Sequence, residues 1–157
     1  MLTRKAITAV LRDIGLGTDD SVLVHSSFRS LGPVEGGPET VIDGILDVIG
    51  PSGTMMAPTF SYGHVEPYFD PAVVPSRTGV ISELLRQRPD AFRSLHPTHS
   101  VCAVGANARE FTHDHLDGGA FTIDSPVDRI TQAGGYVLML GVSHTSNSTI
   151  HVGETRA

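Results

Sequence analysis

Four short, nearly unbroken apolar runs constrain the fold of this 157-residue chain most strongly. They lie at residues 21–24, 54–57, 100–104 and 136–142. A strand that faces water on one side alternates apolar and polar residues, whereas a strand covered on both faces reads as a continuous apolar run. The four runs therefore predict a sheet that is buried between two layers.

Segments with helical periodicity separate these runs. Residues 3–14 place their apolar side chains on one helical face, and Thr3 is the predicted N-cap. Residues 62–77 and 114–123 carry no apolar period and are predicted loops. Further helices are predicted at residues 38–49, 78–88, 106–111 and 125–132.

The alternation of strands and helices predicts an α/β fold. We expect a layered sheet of mostly parallel strands with helices on both faces. No internal repeat or linker divides the sequence, so we expect residues 1–157 to form a single domain.

Composition narrows the possible partners and the compartment. The net charge of −6 argues against nucleic acid and against an anionic membrane surface, and it suits a cationic ligand. The sequence has no secretory leader pattern and no apolar run of about 18 residues. Its one cysteine, Cys102, lies in an apolar run and excludes an internal disulfide, so we expect a cytoplasmic protein.

Polar segments adjoin all four predicted strands. Residues 25–27 follow the first strand, residues 58–61 the second and residues 143–149 the last, whereas residues 96–100 lead into the third. Ligands of open α/β sheets bind where strand ends converge. We therefore expect these segments to meet in one crevice.

A histidine and a carboxylate follow the last strand, at His151 and Glu154. Residues spaced i, i+3 share one side of a helical turn, so the carboxylate can orient the imidazole. A histidine titrates near neutral pH and can serve as a general base. From the residues alone, an exposed pair at a fraying terminus is the alternative.

The segment after the first strand has groups that suit a phosphate. His25, Ser26 and Ser27 are followed by Arg29 and a turn at residues 31–32. Hydroxyls, backbone amides and a guanidinium all donate to phosphate oxygens. Hydroxyls that only cap a turn are the other interpretation.

Two histidine pairs resemble metal ligands. His96 and His99 form one pair, and His113 and His115 form the other. Such spacing is poorly specific without partner thiolates. We interpret residues 113–115 as a solvated loop, because the stretch is polar and rich in aspartate, and we expect no bound metal.

Four of these segments together resemble the aminoglycoside N(3)-acetyltransferase family of antibiotic N-acetyltransferases. The motifs lie at residues 24–32, 53–60, 96–100 and 140–154, in the order found in the family and across nearly all of the chain. The resemblance implies an α/β fold distinct from that of GNAT acetyltransferases. Family members are longer, so we expect the chain to correspond to their N-terminal part, as a C-terminally truncated member.

The resemblance also implies roles for individual residues. His151 and Glu154 match the catalytic histidine and glutamate. Thr145 stands where the family commonly has an acidic residue, six positions before that histidine. The residues that the resemblance assigns to the coenzyme A site are His25, Ser26, Ser27, Arg29, Leu31, Gly32, Ser100, Val101 and Thr149.

The implied reaction transfers an acetyl group from acetyl-CoA to the 3-amino group of an aminoglycoside. His151 would accept the amine proton, and Glu154 would hold the imidazole ring. The expected partners are an aminoglycoside and coenzyme A, with neither nucleic acid nor membrane. Two alternatives remain, a coenzyme A-binding remnant with little or no activity and a metal-dependent hydrolase that uses some of the eight histidines.

Overall fold

The computed structural model describes residues 1–63 and 68–157 and contains a five-stranded sheet. In chain order the strands are β1 (Ser21–Ser26), β2 (Thr54–Pro58), β3 (Phe92–Arg93), β4 (Val101–Gly105) and β5 (Tyr136–Leu140). Across the sheet their order is β3-β4-β2-β1-β5. β1 pairs in parallel with β2 and β5, whereas β4 is antiparallel to both β2 and β3. Four strands therefore share one direction, and β4 runs against them.

The predicted helices are all present, with ends shifted by a few residues at most. The sequence did not predict β3, because two residues are too few to show a period. A last helix carries the His151–Glu154 pair. The helices are α1 (Arg4–Asp13), α2 (Pro38–Ile49), α3 (Val80–Arg86), α4 (Ala108–Thr112), α5 (Pro126–Gln132) and α6 (Thr149–Arg156).

Local capping explains where several helices begin. The Thr3 hydroxyl accepts a hydrogen bond from the Ala6 amide at 3.2 Å, as predicted for α1. Ser125 does the same for the Asp128 amide at the start of α5. Proline is the first residue of both α2 and α5, where no amide hydrogen is needed.

Helices cover both faces of the sheet, which confirms the α/β prediction. Side chains alternate across a strand. Val22 and Val24 of β1 join the core with α1, α2 and α3, whereas Leu23 joins the core with α4, α5 and α6. This double burial explains the apolar runs of β1, β2 and β4. The same prediction is wrong for β5, where Leu138 is buried but Tyr136 and Val137 are exposed, because β5 is an edge strand.

None of the described helices is long and apolar enough to cross a membrane.

The reversed direction of β4 brings the functional segments together. β1, β2 and β5 have their carboxyl-terminal ends on one side of the sheet, and the antiparallel β4 begins on that same side. The segment that precedes β4 therefore meets the segments that follow the other strands. Sequence alone could not show this reversal, because strand direction depends on long-range pairing.

Arg93 of β3 holds the predicted loop at residues 62–77. Residues 64–67 of that loop lie outside the described residues. The Arg93 guanidinium donates to the carbonyl oxygens of Pro71 and Val74 in the loop. It also donates to the Thr59 carbonyl at 2.8 Å. Burial lowers the pKa of Arg93 to about 10. This anchor fixes the path of the chain towards Arg77.

Candidate active site

A cleft of about 480 Å³ lies at the carboxyl-terminal ends of β1, β2 and β5, beside the start of β4. The predicted convergence of strand ends is therefore confirmed. The N-terminal end of α3, the loop before α5 and helix α6 complete its walls. The lining residues include Val24, His25, Ser26, Pro58, Phe60, Tyr62, Arg77, Thr78, Ser82, His99, Phe121, Val142, Thr145, Ser146, Asn147, Ser148 and His151.

His151 and Glu154 form a hydrogen-bonded pair on the first turns of α6. Nδ1 of His151 lies 2.9 Å from Oε2 of Glu154. The side chains are 56% and 68% exposed, so substrate-sized molecules can reach both. A carboxylate only accepts, which assigns the Nδ1 proton to His151 and leaves Nε2 as a proton acceptor.

Helix α6 is fixed to the protein body by an ion pair and one apolar side chain. Arg156 donates to both carboxylate oxygens of Asp128, at 2.7 and 2.8 Å. Asp128 is buried, and Val152 packs into the core beside α4 and α5. Because the histidine lies on this helix, its position depends on these contacts.

An aromatic side chain from the loop before α5 supports the imidazole. The ring centroid of Phe121 lies 5.2 Å from that of His151. Phe121 also packs edge to face against Phe60 and His99. A second, more open groove begins on the other side of this contact, beside Glu154 and Thr155.

The serine-rich turn after β1 contributes His25 and Ser26 to the cleft. His25 is only 5% exposed, and burial lowers its pKa to about 4. Its Nε2 has no hydrogen-bond partner among the described residues. A neutral, unpaired ring nitrogen beside a cleft is a candidate ligand contact.

The rest of that turn lies beside the cleft rather than in its lining. Ser27 donates its amide proton to the Leu140 carbonyl at 2.8 Å, which joins the turn to β5. Arg29 and Leu31 belong to a 3-10 turn that Gly32 ends with a positive φ of 73°. Their assignment to coenzyme A stays a prediction.

Of the other predicted coenzyme A residues, two lie in the interior and Thr149 is half-buried. Ser100 is fully buried; its hydroxyl donates to the Thr59 carbonyl at 2.9 Å and accepts from Arg93 at 3.0 Å. Val101 is fully buried in the core. Thr149 donates its amide to Asn147, and its buried hydroxyl has no partner among the described residues. Ser100 and Val101 therefore lie behind the cleft wall, outside its lining.

The sequence interpretation missed three polar lining residues at the start of α3. Arg77 donates its amide to the Phe60 carbonyl at 2.8 Å, and the Thr78 hydroxyl donates to the Pro58 carbonyl at 2.5 Å. Ser82 follows on the first turn of the helix. An arginine and a threonine directly before a helix start were the available signal.

The histidine pairs do not form a metal centre. Within residues 1–63 and 68–157, no group of three or more His, Cys, Asp or Glu side chains is arranged to hold a metal. His113 is exposed and contacts Asp114 at 2.8 Å, as expected for a solvated loop. His115 departs from that expectation, because it is 2% exposed and its ring centroid lies 4.7 Å from that of His96.

Known proteins share both this sequence and this architecture. Aminoglycoside N(3)-acetyltransferase III from a Salmonella species is 37% identical over 176 residues, which cover 100% of this chain and 62% of the relative. The solved structure of AAC-IIIb with CoASH is 34% identical, with a TM-score of 0.90 over 99% of this chain and 65% of that one. A mutant of AAC(3)-IVa in complex with gentamicin is 34% identical, with a TM-score of 0.93 over 99% and 60%.

The chain thus spans about three fifths of the length of these relatives. The structural agreement extends over nearly all of this chain, and it includes the sheet edge that forms the cleft. The profile of the aminoglycoside 3-N-acetyltransferase family matches residues 23–157. The chain therefore belongs to the aminoglycoside 3-N-acetyltransferase family.

Proposed function

We propose that this protein transfers an acetyl group from acetyl-CoA to the 3-amino group of an aminoglycoside. One observation carries the proposal: the hydrogen-bonded His151–Glu154 pair lies at a cleft built from strand ends, in a chain of this family. The pair is accessible, and its geometry leaves one ring nitrogen to accept a proton.

In the proposed reaction, Nε2 of His151 accepts a proton from the attacking amine. The amine nitrogen bonds to the thioester carbonyl carbon, and the carbon–sulfur bond breaks. The departing thiolate then takes the proton from the imidazolium. Glu154 stabilises that imidazolium while it exists, because the carboxylate accepts the Nδ1 hydrogen.

Polar groups of the cleft fit acetyl-CoA as the donor substrate. Ser26, Thr78 and Ser82 provide hydroxyls, and Arg77 provides a positive charge for a phosphate. The neutral ring of His25 has hydrogen-bonding capacity that the described residues do not use. The related AAC-IIIb has been solved with CoASH, which supports this assignment.

The remaining predicted coenzyme A residues have two proposed modes of action. We assign Ser27, Arg29, Leu31 and Gly32 to the rim, because their turn continues directly from the cleft wall. Ser100 and Val101 act by holding that wall, since both are buried behind it. The buried hydroxyl of Thr149 lies at the start of α6, two residues before the proposed base.

The proposed acceptor is polycationic, and the net charge of −6 favours its approach. The exposed carboxylate of Glu154 borders the open groove beside His151 and adds negative charge there. The related AAC(3)-IVa mutant binds gentamicin, which names the acceptor class. We assign the reaction to the cytoplasm, where acetyl-CoA is available.

We also propose that residues 1–157 form one structural unit, the N-terminal part of the family fold. The unit spans about three fifths of its relatives, and the outer edge of β5 has no partner strand in the described part of the chain. Tyr136 and Val137 on that strand are exposed although apolar. An edge of this kind suits the addition of another strand.

A thiol-release assay with acetyl-CoA and gentamicin tests the reaction. We expect His151→Ala to lower the rate about 100-fold or more, the usual contribution of a general base. His144→Ala is the matched control, because His144 is also exposed but lies outside the described cleft lining. Equal rates for the wild type and His151→Ala would contradict the proposed role.

The short span relative to the family favours one second candidate, a coenzyme A-binding protein without turnover. The two candidates differ in one pair of measurements. If coenzyme A raises the melting temperature but no thiol is released with gentamicin, the binding function is correct and the transferase is not. Thiol release that depends on gentamicin decides for the transferase.

A further inference from the structure

A buried histidine outside the cleft lining occupies a fully hydrogen-bonded position. Nδ1 of His115 lies 2.8 Å from the Ser94 hydroxyl, and its Nε2 lies 3.3 Å from the Ala120 carbonyl oxygen. The Ser94 hydroxyl in turn accepts the Val101 amide at 2.9 Å. His115 therefore connects the start of β4 to the loop before α5.

These partners determine the tautomer of His115. A carbonyl oxygen only accepts, so Nε2 of His115 carries the hydrogen and donates it to Ala120. Nδ1 then accepts the hydroxyl hydrogen of Ser94. Burial, with smaller contributions from the nearby His96 and His99 rings and Arg129, lowers the pKa of His115 to about 4 although the Ala120 hydrogen bond opposes the shift, so the ring is neutral near pH 7.

The hydrogen bond from His115 ends next to Phe121, the side chain that contacts His151. Ala120 is the residue before Phe121 in the chain. Gly118 and Gly119 precede Ala120, and a glycine pair gives this stretch little conformational preference of its own. The other hydrogen bonds of this stretch, between Gly119 and Thr122, are local, whereas the bond at Ala120 ties the stretch to a buried side chain.

We propose that His115 and Phe121 are positioning residues for the imidazole of His151. The His115 bond to Ala120 holds the loop, and the held loop keeps the Phe121 ring 5.2 Å from the His151 ring. Phe121 is well placed for this task because Phe60 and His99 pack against it on its other sides. This inference rests on the proposed function, since it gives the His151 ring a task that requires a fixed orientation.

A purely structural role for Phe121 would fill space and nothing more. Phe121→Leu keeps most of that volume but removes the aromatic ring. We expect the His151 ring resonances in NMR spectra of the full chain to shift and broaden in this variant. We also expect kcat to fall about tenfold with KM for acetyl-CoA unchanged, because orientation contributes to the chemical step rather than to binding.

Two variants complete the test of Phe121. Phe121→Tyr retains the ring and should return both the His151 resonances and kcat to near the wild-type values. Phe92→Leu is the matched control, because Phe92 is a partly exposed aromatic residue on the opposite edge strand. That control should leave the His151 resonances unchanged.

The His115 bond is tested by two substitutions at that position. His115→Gln retains a side-chain donor for the Ala120 carbonyl and should keep the His151 signature, whereas His115→Leu removes the donor and should reproduce the Phe121→Leu effect. His113→Leu is the control, because His113 lies two residues away and is exposed. If His115→Leu folds and leaves the His151 resonances unmoved, the positioning role is wrong.

The NMR measurement separates this inference from the proposed reaction. If the wild type releases no thiol, yet His115→Leu, which keeps the Phe121 ring and its ring-current field, shifts the His151 resonances and His113→Leu does not, the positioning stands and the transferase proposal fails. Unchanged resonances in folded Phe121→Leu overturn the positioning whether or not the enzyme is active. Should Phe121→Leu fail to fold, the His115 pair of variants decides in the same way.

Discussion

Histidines of this protein differ in chemistry because they differ in burial. His25 and His115 are buried, and burial lowers the pKa of each ring to about 4. His113 and His151 are exposed, and each contacts a neighbouring carboxylate. The buried pair therefore stays neutral near pH 7, whereas the exposed pair is open to solvent and to ligands. This contrast sets which histidine a substrate amine can reach.

The buried histidines predict a loss of stability in acid. An unfolded histidine has a pKa of about 6.5, so below that pH the unfolded chain binds more protons than the folded chain. The free energy of unfolding should fall as the pH drops from about 6.5 to about 4, by at most about 1.4 kcal/mol per pH unit for each histidine. Urea unfolding at a series of pH values measures this slope.

Comparing a His115 variant with the wild type shows how much of the pH dependence of the unfolding free energy comes from this ring. His115→Gln removes one buried titrating ring and should reduce the slope relative to the wild type. Burial raises the pKa of the Glu83 carboxyl, but its hydrogen bonds with Arg86, the Ser76 amide and Gln87 together outweigh burial and hold that pKa at about 2, so Glu83 does not titrate in this window. Stability that is flat between pH 6.5 and 4.5 would contradict the burial of neutral histidines.

At the scale of elements, the docking of α6 determines whether the site exists. The helix is only eight residues long, and a helix of that length is not stable by its own hydrogen bonds. Its stability therefore depends on contacts with the rest of the protein, of which buried Val152 is the first. The bidentate contact between Arg156 and the buried Asp128 supplies a second attachment. The proposed base, His151, directly precedes Val152 in the chain and moves with the helix.

Arg156→Ala should loosen α6 without unfolding the sheet. The variant leaves the buried Asp128 carboxylate without its guanidinium partner, which is a costly arrangement. We expect amide hydrogen exchange in α6 to become at least about tenfold faster, with β1 and β2 unchanged. Arg4→Ala is the control, because its ion pairs with Asp43 and Asp47 are exposed. Equal exchange rates in the two variants would exclude Arg156 as the anchor.

At the scale of the whole molecule, the sheet has two edge strands, the two-residue β3 and the longer β5. β5 pairs with β1 alone in the described part of the chain, although its sequence is as apolar as that of a doubly covered strand. The chain spans 62% of its Salmonella relative. We infer that the β5 edge is where further polypeptide of the family fold adds to this unit.

A polypeptide with the unmatched part of the Salmonella relative should therefore bind to this chain in trans. Binding should slow amide exchange in β5 and raise the melting temperature. Val137→Lys places a charge on the exposed strand and should weaken the effect, whereas Val10→Lys changes an equally apolar, exposed residue on α1 and should not. Protection of β5 that survives Val137→Lys would argue for a different contact surface.

Local physics let the sequence alone determine much of this protein. The apolar runs predicted four strands, and they predicted double burial correctly for β1, β2 and β4 but not for β5, because such patterns reflect which faces meet water in the complete fold. Thr3, Pro38 and Ser125 predicted helix starts, since capping involves residues a few positions apart. His151 and Glu154 were predicted to pair for the same reason, and the motifs identified the family.

Only the tertiary structure decided the features that depend on distant contacts. The direction of β4 follows from its pairing with β2, and it brings His99, from the segment before β4, to the cleft. His115 is buried in a stretch that reads as solvated, because Ser94, 21 residues earlier in the chain, satisfies its ring nitrogen. Arg77 reaches the cleft through a loop that Arg93 anchors. Sequence periodicity carries no information on such partners, since burial and hydrogen bonding between remote segments exist only after the chain has folded.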